Sequence, residues 1–325
     1  MRFVEIWTSA TLVATRDLTA DVREFLLRPE TPVAAFAPGS HINVGVDIHG
    51  RPETRSYSLV GEADARGLRI AVHRAADSRG GSRYMWQLAP GARLNITLPS
   101  SQFQIDWMRR HYCLIAGGIG ITPILGIAQA LARRNADFVL HYAVRARRDA
   151  AYLDELQALL GHRLIVHAGD EGGRLNLDAT FAQLPQDAMT LFCGPMRMLD
   201  AARHAWVTSG RALADLSYET FGSSGLLPTE AFRVRLMDTG AELVIPGDRS
   251  MLDVLNEAGH EVLSYCRRGE CGVCAIDVVG VDGEIDHRDV FFSDHQKREN
   301  RKICPCVSRA RGVITVDTLH RTQAA

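Results

Sequence analysis

The 325-residue sequence contains no apolar run approaching the eighteen or so residues that a membrane-spanning helix needs, which removes helical membrane proteins from consideration. Nor does it begin with a cleavable apolar segment. Glu5 interrupts the only apolar patch, M-R-F-V-E-I-W-T, so export is not expected and the cytoplasm is the default compartment. There is no excess of either charge: 37 basic residues stand against 38 acidic ones, leaving no field that would hold nucleic acid. The glycine fingerprint G-x-G-x-x-G is missing, so no standard dinucleotide site can be claimed. There is only one C-x2-C, whereas zinc sites usually show paired C-x2-C elements or histidines at matched spacing. With seven cysteines and no export signal, a reducing environment is expected, and disulfides are not.

What is present centres on the stretch Tyr265 to Cys274, Y-C-R-R-G-E-C-G-V-C. Cys266, Cys271 and Cys274 stand at C-x4-C-x2-C, the spacing of the tight loop that gives three thiolates to a plant-type [2Fe–2S] cluster. Such a loop must wrap backbone N–H groups around sulfur, and Gly269 and Gly272 supply the freedom it needs. Arg267 and Arg268 are expected to offset cluster charge. A fourth thiolate must come from a distant segment. Between Cys274 and Cys304 there are 29 intervening residues, and between Cys274 and Cys306 there are 31, a difference that a surface loop absorbs easily, so spacing leaves both open.

The first hundred residues alternate with period two between turn residues, including Pro38-Gly39 and Pro90-Gly91. About six strands, with one helix near Ser82 to Leu88, argue a small antiparallel β-barrel. Two motifs lie on it. Arg55, Ser56, Tyr57 and Ser58 form a strand carrying a cation, an aromatic ring and two hydroxyls, which suits a planar heteroaromatic ring with a polyol phosphate. Gly80, Gly81 and Ser82 open the helix, where bare amides and a hydroxyl cap suit an anion.

From about residue 110 apolar strands alternate with helical stretches, the pattern of a doubly wound parallel α/β sheet that places ligands at the carboxyl ends of its strands. Gly117, Gly118, Gly120 and Thr122, within G-G-I-G-I-T-P, fall where the first strand meets its helix. Cys193, Gly194 and Pro195 fall at a second such junction. After Ser223 to Pro228, small enough for a linker, a hairpin and then a helix precede the cysteine loop. Residues 231–325 carry 13 basic and 15 acidic side chains, so docking there rests on shape more than on long-range attraction.

Barrel, nucleotide sheet and cysteine-loop domain, in that order, make the chain resemble the phthalate dioxygenase reductase family within the ferredoxin–NADP reductase superfamily, essentially from end to end. That resemblance implies three domains: an FMN-binding β-barrel at 1–107, an NAD-binding α/β domain at 108–227 and a β-grasp [2Fe–2S] ferredoxin domain at 228–325. It implies that Arg55, Ser56, Tyr57, Ser58, Ala71, Val72 and His73 line the flavin while Gly80, Gly81 and Ser82 hold its phosphate. G-G-I-G-I-T-P, with Thr122, and Cys193-Gly194-Pro195 would flank the nicotinamide nucleotide. Phe221, in E-T-F-G, would cover the flavin face as a gate. The exit C-V-S-R-A favours Cys306 as the fourth cluster ligand. Asp286-His287-Arg288-Asp289 also recurs in relatives; a structural hydrogen bond is expected of His287.

The implied activity is an NADH-dependent flavin iron–sulfur oxidoreductase passing electrons from NADH through FMN and [2Fe–2S] to a separate Rieske oxygenase, with neither nucleic acid nor membrane as a partner. Arg145, Arg147 and Arg148 follow the second strand, where a 2′-phosphate could be read, but the resemblance favours NADH. Two other readings stand beside this one: a reductase serving a P450 or di-iron oxygenase, and a redox-sensing binding module without turnover.

Overall fold

Alternating burial through the first hundred residues builds six antiparallel strands: β1 (Trp7–Asp17), β2 (Val22–Pro29), β3 (His41–Ile48), β4 (Arg51–Ser58), β5 (Leu68–His73) and β6 (Arg93–Thr97). In this computed structural model, which describes residues 6–33, 35–62, 66–75, 78, 80–101, 103–220 and 230–318, they hydrogen-bond in the order β4-β3-β6-β1-β2-β5. The two edges are joined by a single bridge, Leu59 to Ile70, and by the Val60 amide donating to the Arg69 carbonyl at 2.8 Å. The barrel thus closes at one point. Beyond it β4 and β5 run side by side without a ladder. Inward-facing Leu12, Phe25, Ile42, Val44 and Ile70 fill the interior, and helix α1 (Gly81–Gln87) contributes Met85.

The strands that follow are parallel, and the central ones are buried on both faces, as their continuous apolar runs require, while the edge strand Leu164–Ala168 is half exposed. β7 (His111–Gly117), α2 (Ile121–Arg133), β8 (Asp137–Val144), α3 (Leu153–Leu160), β9 (Leu164–Ala168), α4 (Leu177–Gln183), β10 (Met189–Cys193), α5 (Met196–Thr208) and β11 (Leu216–Glu219) alternate as expected. The strand order is β11-β10-β7-β8-β9, which puts the reversal of winding between β7 and β10. Val22, Val60, Ala71 and Phe103 from the barrel share one apolar core with Ile124, Ile127 and Leu131 of α2. Barrel and sheet together form one compact unit, Met1–Glu219.

The second unit, Thr220–Ala325, has its own core. β12 (Phe232–Leu236), β13 (Glu242–Ile245), α6 (Met251–Glu257), β14 (Ile276–Asp286), α7 (Asp294–Glu299), β15 (Lys302–Ile303) and β16 (Arg309–Asp317) make a mixed sheet in the order β13-β12-β16-β14-β15. β12 and β16 are parallel and the other pairings antiparallel, the arrangement of a β-grasp. Ser250 caps α6 by accepting from the Asp253 amide, and Ser293 with Gln296 forms a capping box on α7. The cysteine loop occupies the span between α6 and β14, free of regular structure. Among the described residues no helix is long and apolar enough to cross a membrane.

Candidate functional site

The two barrel motifs lie against each other. Arg55 sits on β4, its Nη2 paired with Glu53 at 2.7 Å and its Nη1 donating to the Thr54 carbonyl at 2.9 Å. Its stem passes so close to Gly81 that a β-carbon there would stand 2.7 Å from Arg55 Nε, so only glycine admits the cation at the start of α1. At Gly80 a positive φ of 97° turns the chain, and a β-carbon would strike Ile48 at 2.6 Å. The Ser82 hydroxyl meets that of Ser78 at 2.9 Å. The Gly80 amide donates to Ser78 Oγ at 3.2 Å. A cation beside hydroxyls at the start of α1 is a donor set that suits a phosphate monoester.

The register of the closing bridge sets Tyr57 of β4 opposite Val72 of β5, across the gap where the ladder stops. Ser58, Ala71 and Val72 are buried on either side of this point, and His73 is exposed at the end of β5. Burial pushes the Tyr57 hydroxyl well above its ordinary range, so the ring is a neutral apolar wall. Ser56 is held by Asn43, the Val72 carbonyl accepts from Trp86 Nε1 at 3.1 Å, and exposed His73 pairs with Asp21 at 3.0 Å.

At the switch point of the parallel sheet the two glycine motifs pack backbone on backbone. A β-carbon at Gly120 would stand 2.0 Å from the Cys193 carbonyl oxygen, and one at Gly117 2.7 Å from Pro195. Gly194 approaches the Gly117 backbone to within 3.2 Å of where its β-carbon would be, and Gly118 takes a positive φ of 55°. Thr122 donates its hydroxyl to the Ile119 carbonyl at 3.0 Å and is buried, as is Cys193. Both serve the local fold in this structure. Phe221 lies outside the described residues, as does the linker from Ser223 to Pro228.

Of the three arginines after β8, Arg147 is committed elsewhere: its guanidinium forks onto Glu171 at 2.6 and 2.8 Å, and its amide donates to Asp170. The fork holds the Glu171 carboxyl below the usual range. Sequence reasoning had no means of seeing this pair.

The cysteine loop presents its thiols in two pairs. Cys266 and Cys271 lie within hydrogen-bonding reach of each other, and Cys274 Sγ is 3.2 Å from Cys306 Sγ. Positive φ values at Arg267, Gly269 and Gly272 bend the loop inward, so that the amides of Arg268, Glu270 and Cys271 all point at Cys266 Sγ, each at 3.4 Å. Cys274 and burial raise the Cys306 thiol, and the Gly269 backbone opposes the rise. Cys304 also approaches Cys274. Among thiols in such contact, hydrogen bonds from neighbours depress one member: Cys271 is brought down to about 6 by Cys266, and Cys274 to about 4 by Cys304 and Cys306. Among the described residues no three donors converge on one point, as a mononuclear ion would require. Two thiol pairs wrapped by amides fit a two-iron cluster.

The arginines of this loop have carboxylate partners. Arg267 pairs with Asp253, and buried Arg268 with Glu270 at 3.3 Å, so donation to sulfur comes from backbone amides more than from side-chain cations. Burial raises the Glu270 carboxyl, which accepts from both the amide and the hydroxyl of Thr220 at 2.6 and 2.9 Å. His287 bridges Asn300 at 3.0 Å and Asp289 at 3.6 Å, a structural role.

Three family descriptions match the chain in succession: an oxidoreductase FAD-binding domain over 9–105, an oxidoreductase NAD-binding domain over 114–204 and a 2Fe-2S iron-sulfur cluster binding domain over 234–311. The heme-dependent oxidative N-demethylase beta subunit of Ectopseudomonas mendocina is 36% identical over 304 residues, 93% of this chain and 95% of that protein. The phenoxybenzoate dioxygenase subunit beta of Ectopseudomonas oleovorans is 37% identical over 306 residues, 93% and 91%. The crystal structure of phthalate dioxygenase reductase superposes with a TM-score of 0.79 at 30% identity, covering 96% of this chain and 98% of that one.

Proposed function

Because the chain belongs to the family of flavin- and [2Fe–2S]-containing oxygenase reductases that includes phthalate dioxygenase reductase, we propose that it draws electrons from NADH and delivers them singly to a separate Rieske oxygenase. A bound flavin supplies the conversion, since it takes a hydride's two electrons together and a cluster accepts them one by one. The thiol pairing carries this reading, Cys266 with Cys271 and Cys274 with Cys306, in a chain that also holds both nucleotide loops.

Each group has a task. Arg55 with Gly80, Gly81 and Ser82 holds the phosphate of FMN, while Ser56, Tyr57, Ser58, Ala71, Val72 and His73 frame its ring. Gly117, Gly118, Gly120 and Thr122, with Cys193, Gly194 and Pro195, would flank the nicotinamide nucleotide, and Phe221 would cover the flavin face. Glu171 and Asp170 occupy Arg147 and put negative charge where a 2′-phosphate would lie, which favours NADH. The domains run 1–107, 108–227 and 228–325. No side-chain general base is needed, because positioning at about 3–3.5 Å suffices for hydride transfer. Seven free thiols and a supply of NADH are in keeping with a cytoplasmic reaction.

One observation favours a second acceptor: the N-demethylase relative is named for a heme-dependent system. The deciding experiment adds NADH anaerobically to the purified holoprotein and follows the visible spectrum with low-temperature EPR. Flavin bleaching together with a reduced [2Fe–2S] signal is expected; bleaching alone would reduce the protein to a plain flavin reductase. Mixing with Rieske and heme oxygenases then separates the acceptors.

A further inference from the structure

A partly buried polar network crosses the seam between barrel and nucleotide sheet. Tyr152, at the start of α3, donates its hydroxyl to Glu24 of β2 at 2.9 Å. Glu24 also faces Arg16 of β1 at 3.2 Å and Arg69 of β5 at 3.5 Å. Arg69 reaches across to fork onto Glu155 of α3 at 3.2 and 3.4 Å, its guanidinium 5.9 Å from the Tyr152 ring. Gln129 of α2 extends the set to Glu155 at 3.5 Å. Glu24 and Tyr152 are 8% and 6% exposed.

Three features separate this network from ordinary packing. Burying paired charges returns little net stability, since desolvation offsets the attraction, so the network is a poor stabiliser for its size. Tyr152 is held at φ 61°, ψ 17°, a left-handed conformation that a bulky residue keeps only where its surroundings over-determine it. Most telling are the elements it ties together. Arg69 precedes Ala71 on β5, the strand proposed above to frame the flavin ring. Gln129 lies on the helix that begins at Gly120 and Thr122, and Tyr152 and Glu155 begin the helix that follows β8. The apolar part of the seam, with Phe103 and Ile127 in one core, has no directional preference; a forked ion pair does.

We propose that Glu24, Arg69, Tyr152 and Glu155 are positioning residues, a clamp that fixes the nucleotide layer against the barrel and so sets the distance from nicotinamide to flavin. The proposal rests on the hydride-transfer reading above. The step it serves breaks the C4–H bond of NADH, leaves NAD+, and moves the hydride with both electrons to the flavin, with no further proton required.

The test uses the holoprotein and its Tyr152→Phe and Glu155→Gln variants. Anaerobic stopped-flow bleaching is recorded against NADH concentration, with NADH and with NADH deuterated at C4, at several temperatures. In either variant the limiting rate is expected to fall about tenfold, because small misplacements are costly at near-attack distances. The NADH dissociation constant stays within about twofold and the isotope effect becomes more temperature-dependent, a response that loss of folded protein alone would not produce. Glu155→Gln serves if Tyr152→Phe does not fold. An unchanged limiting rate and isotope effect overturns the clamp, whatever happens to the melting temperature. Failure of the wild-type protein to bleach with NADH would instead overturn the reductase reading.

Discussion

A β-carbon placed on Gly120 would stand 2.0 Å from the carbonyl oxygen of Cys193, so the two loops of the nucleotide site are locked together through bare backbone. Gly120→Ala must therefore push G-G-I-G and C-G-P apart. The expected result is at least tenfold weaker NAD+ binding by titration of the flavin spectrum, with a stability loss of roughly 1–3 kcal/mol for overpacking. Unaltered NAD+ affinity would remove these loops from the site.

Cys304 and Cys306 are both buried beside Cys274, and Cys274 Sγ lies 3.2 Å from Cys306 Sγ. Cys304→Ser is expected to keep the [2Fe–2S] absorbance and EPR signal, whereas Cys306→Ser loses most of both while NADH still bleaches the flavin. The reverse pattern would transfer the ligand role to Cys304.

Glu171→Gln releases the Arg147 guanidinium from its fork and removes one negative charge beside it. Steady-state reduction of an artificial acceptor should show the NADPH to NADH ratio of kcat/KM rising several-fold, carried by NADPH. A ratio that stays put would mean that the 2′ position lies elsewhere.

His141 Nδ1 and His167 Nε2 are 3.0 Å apart on adjacent strands. Burial, followed by the neighbouring ring, holds His141 down to about 4, and burial lowers His167 as well. The unfolded chain binds these protons near 6.5 and the folded chain does not. Stability of the first unit is therefore full above pH 6.5 and declines as pH falls toward 4, by up to roughly 3 kcal/mol for His141. His141→Asn should flatten this dependence between pH 6.5 and 4 in denaturant titrations, even if it lowers stability overall. An equally steep profile would place the acid sensitivity in other groups.

How much of this the sequence discloses depends on how local each feature is. The loop from Cys266 to Cys274 is specified within nine residues, and Gly269 and Gly272 already mark its bends. Period-two alternation reveals the barrel strands, and the short apolar runs reveal β7, β8, β9 and β10. β11 is only four residues, Leu-Ser-Tyr-Glu, and carries no such signal on its own; pairing with β10 makes it a strand. The partners of Arg147 and Arg268 were hidden for another reason. Ion pairing follows the path of loops, so Glu171, 24 residues away, gives no spacing rule, and Arg267 and Arg268 looked like free cations until Asp253 and Glu270 were seen beside them. Tyr152 and Glu24 are 128 residues apart, joined only because the sheet packs on the barrel.

The shared core of barrel and sheet limits how this chain can be recombined. A chimera joined near residue 220 would keep each apolar cluster of the described residues within one parent. One joined near residue 106 would strip Val22, Val60 and Phe103 from the cluster they complete with α2, and both fragments would carry the scar. Flavin and pyridine-nucleotide halves can only be inherited together.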